Sequence, residues 1–271
     1  MKLETAKGVR DFPPEEKIVR NKVVDTLKDV FESYGYNPFE TPIIERLDVL
    51  TSKFGAGEES DAYNEIFKFK DQGNRDLGLR FELTLSLCRF IAMNPNIKLP
   101  FKRYEIGRVY RDGPIKLGRT REFYQCDVDV VGSASMMADA EILAIASEVF
   151  RRLEMPITIE VSNRKLLNGI LTQAGVPENL KQPAMIAIDK LKKFGIKTVT
   201  KELEQKGISK QSITKIESVL KIQGTTQEKL AILRQQITNK QGIEGLTELK
   251  ELFNYLNILK VTDYEFNPTL A

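Results

Sequence analysis

The 271-residue chain contains no histidine. Ser-His and Cys-His catalysis are therefore excluded within it, and the commonest zinc ligand is missing. Its chemistry must rest on carboxylates, arginines, lysines or groups that a substrate brings. Cysteine is nearly as scarce. Cys88 and Cys126 are the only two, no Cys-x-x-Cys occurs, and no disulfide framework is expected. No apolar run approaches the ~18 residues that a membrane helix needs. The opening MKLETAKGVRDF has no apolar stretch of the signal-peptide kind. These absences make a cytoplasmic protein without a membrane role the expectation. With 41% hydrophobic and 29% charged residues the composition is that of an ordinary globular protein. The length suits one large domain or a domain with a sizeable insertion.

The net charge of +3 conceals an asymmetry. Residues 163–260 hold 17 Lys and Arg against 9 Asp and Glu, a net +8, and the remainder holds 24 against 29, a net −5. A lysine-rich solvated surface would give this pattern. So would a module that faces a polyanion.

Along the chain, apolar residues Val23, Val24, Leu27, Val30, Phe31 and Tyr34 recur at helical spacing, which predicts a helix over 14–35 between Pro13-Pro14 and Gly35. YNPFETPIIE follows and reads as extended, because Pro38 and Pro42 forbid helix interior. FGAGEESDAYN, residues 54–64, reads as a polar loop. EIFKFKD and DLGLRFELT read as strands around the turn QGNR, and TLSLCRFIAMN as a short helix beginning at Thr84. Residues 101–113 and 121–132 read as two strands around the loop PIKLGRT. A helix over 136–153 and a short strand, ITIEVSN, come next. From Asn163 to about residue 260 the pattern is helical, with breaks expected at Gly175, Gly195, Gly207, Gly224 and Gly242. The expected class is α+β, an antiparallel sheet flanked by helices. The expected division is 1–162 as a mixed core, 163–260 as a basic helical insertion, and 261–271 as the start of a returning strand.

One hairpin concentrates the chemistry. Arg108, Arg111, Arg119 and Arg121 surround a single loop, and forked guanidinium groups suit phosphate oxygens. On the second strand, alternation places Arg121, Phe123, Gln125, Asp127 and Asp129 on one side and Glu122, Tyr124, Cys126, Val128 and Val130 on the other. LRFELT adds Glu82 and Thr84 as alternate residues of a strand end, a carboxylate and a hydroxyl able to hold an ammonium group. Anion-binding arginines beside cation-binding carboxylates would suit a zwitterionic amino acid next to a nucleotide. A salt-bridged sheet surface would show the same residues.

These segments together resemble the catalytic region of the class II aminoacyl-tRNA synthetases, and within them the histidyl-tRNA synthetase family. KGVRDFPPEE is similar to the family's opening, GYNPFETPIIE to its motif 1, LRFELT to its amino-acid-binding strand, RVYRDGPIKLGRTREFYQCDVD to its motif 2, and NRKLLNGIL to the start of its helical insertion. The resemblance implies a histidine–tRNA ligase that uses ATP and Mg²⁺, with histidine and tRNA(His) as substrates and a homodimer formed through motif 1. It implies Arg111 as the catalytic arginine on the ATP α-phosphate and Arg119 as a second phosphate contact. It implies Glu82, Thr84 and Gln125 around the α-amino group of histidine, and Asp129 as acceptor for the imidazole. For metal-binding residues it implies none by name.

The implied chemistry needs no histidine side chain. The substrate carboxylate attacks the α-phosphorus, pyrophosphate leaves, and the protein's share is positioning and charge stabilisation. Two departures stand out. An acidic residue usual two positions after the motif 2 arginine is Gly113 here, and the family's RGLDYYTG-like stretch and motif 3 arginine do not occur. A truncated or split catalytic portion, inactive or severely impaired alone, is therefore the expectation. The alternative is a non-catalytic, histidine-sensing paralogue, the regulatory subunit of ATP phosphoribosyltransferase. A free-standing nucleic-acid-binding module is a third possibility.

Overall fold

A computed structural model describes residues 2–53 and 61–270 of the chain. The chain forms two compact units, 1–134 and 135–271. The boundary drawn at Asn163 from texture is a different partition: compactness groups the preceding helix and strand with the helices that follow.

In the first unit, α1 spans Pro14–Ser33, with proline in the first helical turn, where its missing N–H costs no bond. The short strands β1 (Asn37–Pro38) and β2 (Ile44–Arg46) make up the extended segment. Then come α2 (Leu47–Thr51), α3 (Asp61–Asn64), β3 (Lys68–Lys70), β4 (Asp76–Leu79) and α4 (Thr84–Met93). Of the loop expected over 54–64, residues 54–60 lie outside the described residues, and 61–64 are helical instead. The unit closes with the long strands β5 (Phe101–Tyr110) and β6 (Glu122–Val131).

Two small sheets result, ordered β1-β5-β6 and β2-β4-β3. All their pairs are antiparallel except β1 with β5. The class is α+β, as expected, with the strands divided between sheets. The β5–β6 ladder runs unbroken from Phe101 opposite Val131 to Tyr110 opposite Glu122. Its apolar face carries α1: the Phe31 and Tyr104 rings stand 5.3 Å apart, and Tyr104 Oη donates to Glu32. Its other face carries Arg103, Glu105 and Gly107 opposite Asp129, Asp127 and Gln125.

The second unit contains α5 (Met136–Arg152), β7 (Ile159–Val161), α6 (Arg164–Ala174), α7 (Glu178–Ile188), α8 (Leu191–Gln205, interrupted at Gly195), α9 (Lys210–Leu220), α10 (Thr226–Gln236), α11 (Lys240–Ile258) and β8 (Tyr264–Phe266). Leu167, Leu171, Ile188, Val199, Leu203 and Ile216 share its core. The strand expected near the C-terminus pairs in parallel with β7. Among the described residues no helix is long and apolar enough to cross a membrane.

Gly242 corrects one expectation. It does not break a helix but lies buried within α11, where α11 crosses α6. A Cβ on Gly169 would overlap the Gly242 backbone, and one on Gly245 would overlap the Leu166 nitrogen. Alanine at a free helical site gains about 1 kcal/mol over glycine. Overpacking against backbone that cannot yield costs about 1–3 kcal/mol, so the clash should win. Gly245→Ala is expected to lower the melting temperature by several degrees in a calorimetric scan. A rise would show that the helices separate freely.

Candidate active site

Four segments of the first unit converge on a cleft of about 770 Å³. Lys53 follows α2, Asn64 and Glu65 lie at the end of α3, Phe81 and Glu82 follow β4, and the β5–β6 hairpin supplies Arg111, Asp112, Gly113, Pro114, Arg119 and Gln125. Three cations and three carboxylates therefore share its walls.

Arg111 is anchored. Its backbone N–H donates to the Arg121 carbonyl at 2.9 Å, closing the hairpin one step beyond β5. Its Nε donates to the carbonyl of Phe81 at 3.0 Å, and its guanidinium lies 5.0 Å from the Phe123 ring centroid. Phe81 itself is buried with Leu50 and Ile66. The arginine thus enters the cleft from a core-fixed base, with the ends of its fork left for a ligand.

Arg119 is held differently. It sits on the loop, half exposed, with Nη2 2.6 Å from Glu65 Oε1. The Glu65 carbonyl accepts from the Asp112 N–H at 2.7 Å. A Cβ on Gly113 would come within 2.5 Å of Glu65 Oε1. Glycine at 113 therefore makes room for a carboxylate from another element, and an acid is present at the spot where the motif itself supplies none. Asn64, Glu65, Lys53 and Asp112 carry no periodic signal. Only the fold shows that they face the arginines.

Glu82 lines the cleft but does not lie in a strand, as expected of it. β4 ends at Leu79, and Glu82 Oε1 accepts from the Leu85 N–H at 2.5 Å, capping the first turn of α4. The alternation expected through LRFELT fails because β4 ends at Leu79, while the helix begins at Thr84 as expected. Thr84 is consequently exposed as the first residue of α4 and does not line the cleft. The four arginines also part company. Arg108 pairs with Glu122 at 3.4 Å on the α1 side of the ladder, and Arg121 pairs with Asp112 at 2.8 Å. Only Arg111 and Arg119 are lining residues.

Asp127 and Asp129 share the sheet face with Gln125, whose Nε2 donates to Asp127 Oδ2 at 3.3 Å. Asp129 does not line the cleft but is paired with Arg103, its cross-strand neighbour, at 2.8 Å. Burial pushes the Asp127 carboxyl up to about 6; Arg103 opposes this, while Asp129 and Glu82 add to it. Burial also raises Asp129, again against Arg103 and with Glu82 adding. The arrangement offers anchored and mobile cations on one side and a carboxylate-rich floor on the other.

Comparison with known proteins follows this geometry. A family model described as histidyl-tRNA synthetase matches residues 8–271. Histidine–tRNA ligase 1 of Bacillus cereus is 44% identical over 273 residues, covering all of this chain and 63% of that protein. Histidine–tRNA ligase of Bacteroides fragilis is 37% identical over 290 residues, covering 98% of this chain and 63% of that protein. Among solved structures, histidyl-tRNA synthetase from Nostoc sp. PCC 7120 superposes with a TM-score of 0.87 at 31% identity, over all of this chain and 62% of its own. An ATP phosphoribosyltransferase regulatory subunit/histidyl-tRNA synthetase from Bacillus halodurans superposes at 0.85 with 20% identity, a likeness of fold. The chain thus spans under two thirds of the length of the histidine–tRNA ligase and histidyl-tRNA synthetase relatives, and 69% of the Bacillus halodurans chain.

The raised Asp127 carboxyl has a consequence for stability. Its folded value of about 6 exceeds the ordinary 3.8, so its contribution is favourable below ~4 and is lost as pH rises through ~6. Asp127→Asn mimics the protonated form. It should raise stability near pH 8 by about 1 kcal/mol after discounting for solvent screening, or ~2–4 °C. The gain should fade toward pH 5. Melting scans at the two pH values check this, and a gain independent of pH would remove the electrostatic cause.

Proposed function

The chain belongs to the histidyl-tRNA synthetase family, and from that premise and the cleft geometry we propose that it carries the ATP- and histidine-binding part of a histidine–tRNA ligase. The observation that carries this reading is the meeting of Arg111 and Arg119 with Glu82 and Gln125 in one cleft. The anchored Arg111 takes the α-phosphate, where charge builds as the histidine carboxylate attacks and pyrophosphate leaves. Arg119 takes the outer phosphates after they displace its bond to Glu65, and Lys53 is a third cation within reach of the same anion. Glu82 and Gln125 receive the α-ammonium group, and Asp129 accepts from the imidazole. Thr84 would join them only if the first turn of α4 moved toward the cleft. Among the described residues no group of three or more carboxylate or thiolate side chains is placed to hold a metal. Mg²⁺ would accompany the triphosphate and neutralise part of its charge.

The helical stretch 163–260 is proposed to face tRNA(His). Much of its acidic charge is engaged internally: Lys165 pairs with Glu244 and Glu248, Lys190 with Glu202, and Lys221 with Glu217. Lys197, Lys201, Lys210, Lys215, Lys240 and Lys250 form no ion pair among the described residues, which leaves a surplus for phosphates. Homodimer formation through the motif 1 region is supported by Ile43 and Ile44, 42% and 51% exposed on and beside β2. A cytoplasmic location goes with this reading.

Histidine-dependent ATP–pyrophosphate exchange tests it, run on this chain and on a version extended to the length of its relatives. Exchange supports the ligase, while histidine binding without exchange in the extended protein would favour the regulatory paralogue. Arg111→Ala should cut exchange ~100-fold or more while circular dichroism stays unchanged. Near-normal exchange in the folded variant would refute the assignment.

A second expectation concerns tRNA. Lys197 and Lys201 are exposed one helical turn apart on α8. Replacing both by glutamine should weaken tRNA binding and flatten the logarithmic salt slope by up to about 2. An unchanged slope, measured by filter binding over a salt series, would assign these charges to solubility alone.

A further inference from the structure

The sheet face beneath the cleft holds a buried cation that the proposed chemistry leaves unused. Arg103 is 0% exposed and stands opposite Asp129 in the β5–β6 ladder. Its Nη2 lies 2.8 Å from Asp129 Oδ2, and its Nη1 lies 3.6 Å from Glu105 Oε2. Yet none of its N–H groups is directed at an acceptor, and the buried Asp129 Oδ2 and Gln125 Oε1 accept no hydrogen bond. Among the described residues, every buried side-chain polar atom without a directed partner belongs to these three residues. Buried polar atoms in folded proteins nearly always find partners. Their concentration on one face, beside a ligand-sized cleft, singles out Arg103, Asp129 and Gln125 as one polar cluster held by charge.

The charges on this face do not balance. Asp127 and Asp129 face one nearby cation, Arg103, while Glu105 is met at closest by Arg80. Arg80 is committed to Glu105 at 2.8 Å, and Glu105 also accepts from the Thr41 N–H and hydroxyl. Arg103 is left as the cation that Asp127 and Asp129 share. Burial disfavours their ionised forms, and only a facing cation keeps them charged.

We propose that Arg103 is a positioning residue of the amino-acid pocket, pinning Asp129 as an oriented anion for a ligand that brings an ammonium group and a side-chain N–H. The inference rests on the amino-acid-site reading above and adds to it a residue that holds the acid of that site in place. Arg103 touches no substrate. It acts through Asp129, by charge across the 2.8 Å pair.

The test uses the whole 271-residue chain labelled with ¹³C at aspartate carboxyls, with Asp129→Asn identifying the resonance. Two quantities are measured: the titration midpoint of Asp129, and histidine affinity by calorimetry across a pH series. Arg103→Met should raise the midpoint by more than about one pH unit. It should weaken histidine about tenfold or more near neutral pH, with partial recovery as the pH is raised and Asp129 ionises again. Arg103→Lys should restore the midpoint but only part of the affinity, because an ammonium cannot lie against both Asp129 and Glu105 as the guanidinium does; if Arg103→Met does not fold, this variant carries the same two readouts. A purely structural role would lower the melting temperature without a pH-dependent loss. An unmoved midpoint, or parental affinity, in a folded variant would overturn the proposal. A shifted midpoint in a chain that binds no histidine would overturn the amino-acid reading and leave Arg103's hold on Asp129 standing.

Discussion

The first unit is organised around the buried pair Arg80–Glu105. Both side chains are almost wholly withdrawn from water, 3% and 1% exposed. Removing two charges from solvent is costly unless their remaining hydrogen-bonding capacity is met. It is met here. Arg80 donates to Glu105 at 2.8 Å, to the Thr41 carbonyl at 2.6 Å and to the Arg108 carbonyl at 2.9 Å, while Glu105 collects both donors of Thr41. Gly107 lacks the Cβ that would overlap the Arg80 guanidinium. The backbone joins in, with Arg80 N–H donating to Ile43 and its carbonyl accepting from Tyr110. One residue thus fastens the small sheet to the large one. It thereby sets where the chain turns after β4, which is where Glu82 enters the cleft.

That constraint explains the polarity of the site. Arg111 hangs from the Phe81 carbonyl, one residue after the turn set by Arg80. The carboxylates line up on β6 because Arg103 and Glu105 lie opposite them. A cation-rich rim and an anion-rich floor follow from two strands in register and one buried ion pair. Such a cleft can orient a zwitterion against a polyphosphate without a side-chain base, in keeping with a chain that has no histidine. Glu65 adds a movable element, since its bond to Arg119 is half exposed and a phosphate can compete for it.

The second unit uses other means. Several of its helices are started by side-chain caps, among them Asn163 for α6, Thr225 with Glu228 for α10, and Asn239 for α11. Its closest packing comes from the absence of side chains at Gly169, Gly242 and Gly245, which lets α6 and α11 approach to backbone contact. Where the small residues draw helices together, the lysines remain outside.

Local pattern carried much of this into the sequence. The helices α1, α4 and α5 and the β5–β6 hairpin were legible because periodicity and proline or glycine punctuation act over a few residues. The cleft's arginines were legible for the same reason, being close in the chain. The tertiary structure alone decided which of the four arginines line the cleft, since parity and the ion pairs of Arg108 and Arg121 depend on partners elsewhere. It alone left Thr84 outside the cleft lining, because β4 ends at Leu79 and its alternation does not reach Glu82 and Thr84. It alone brought Glu65 against Gly113, across nearly fifty residues, and buried Arg103 beneath Asp129. A charge's sign is written in the sequence, but its role is set by burial and by the partner opposite, and both are properties of the folded chain.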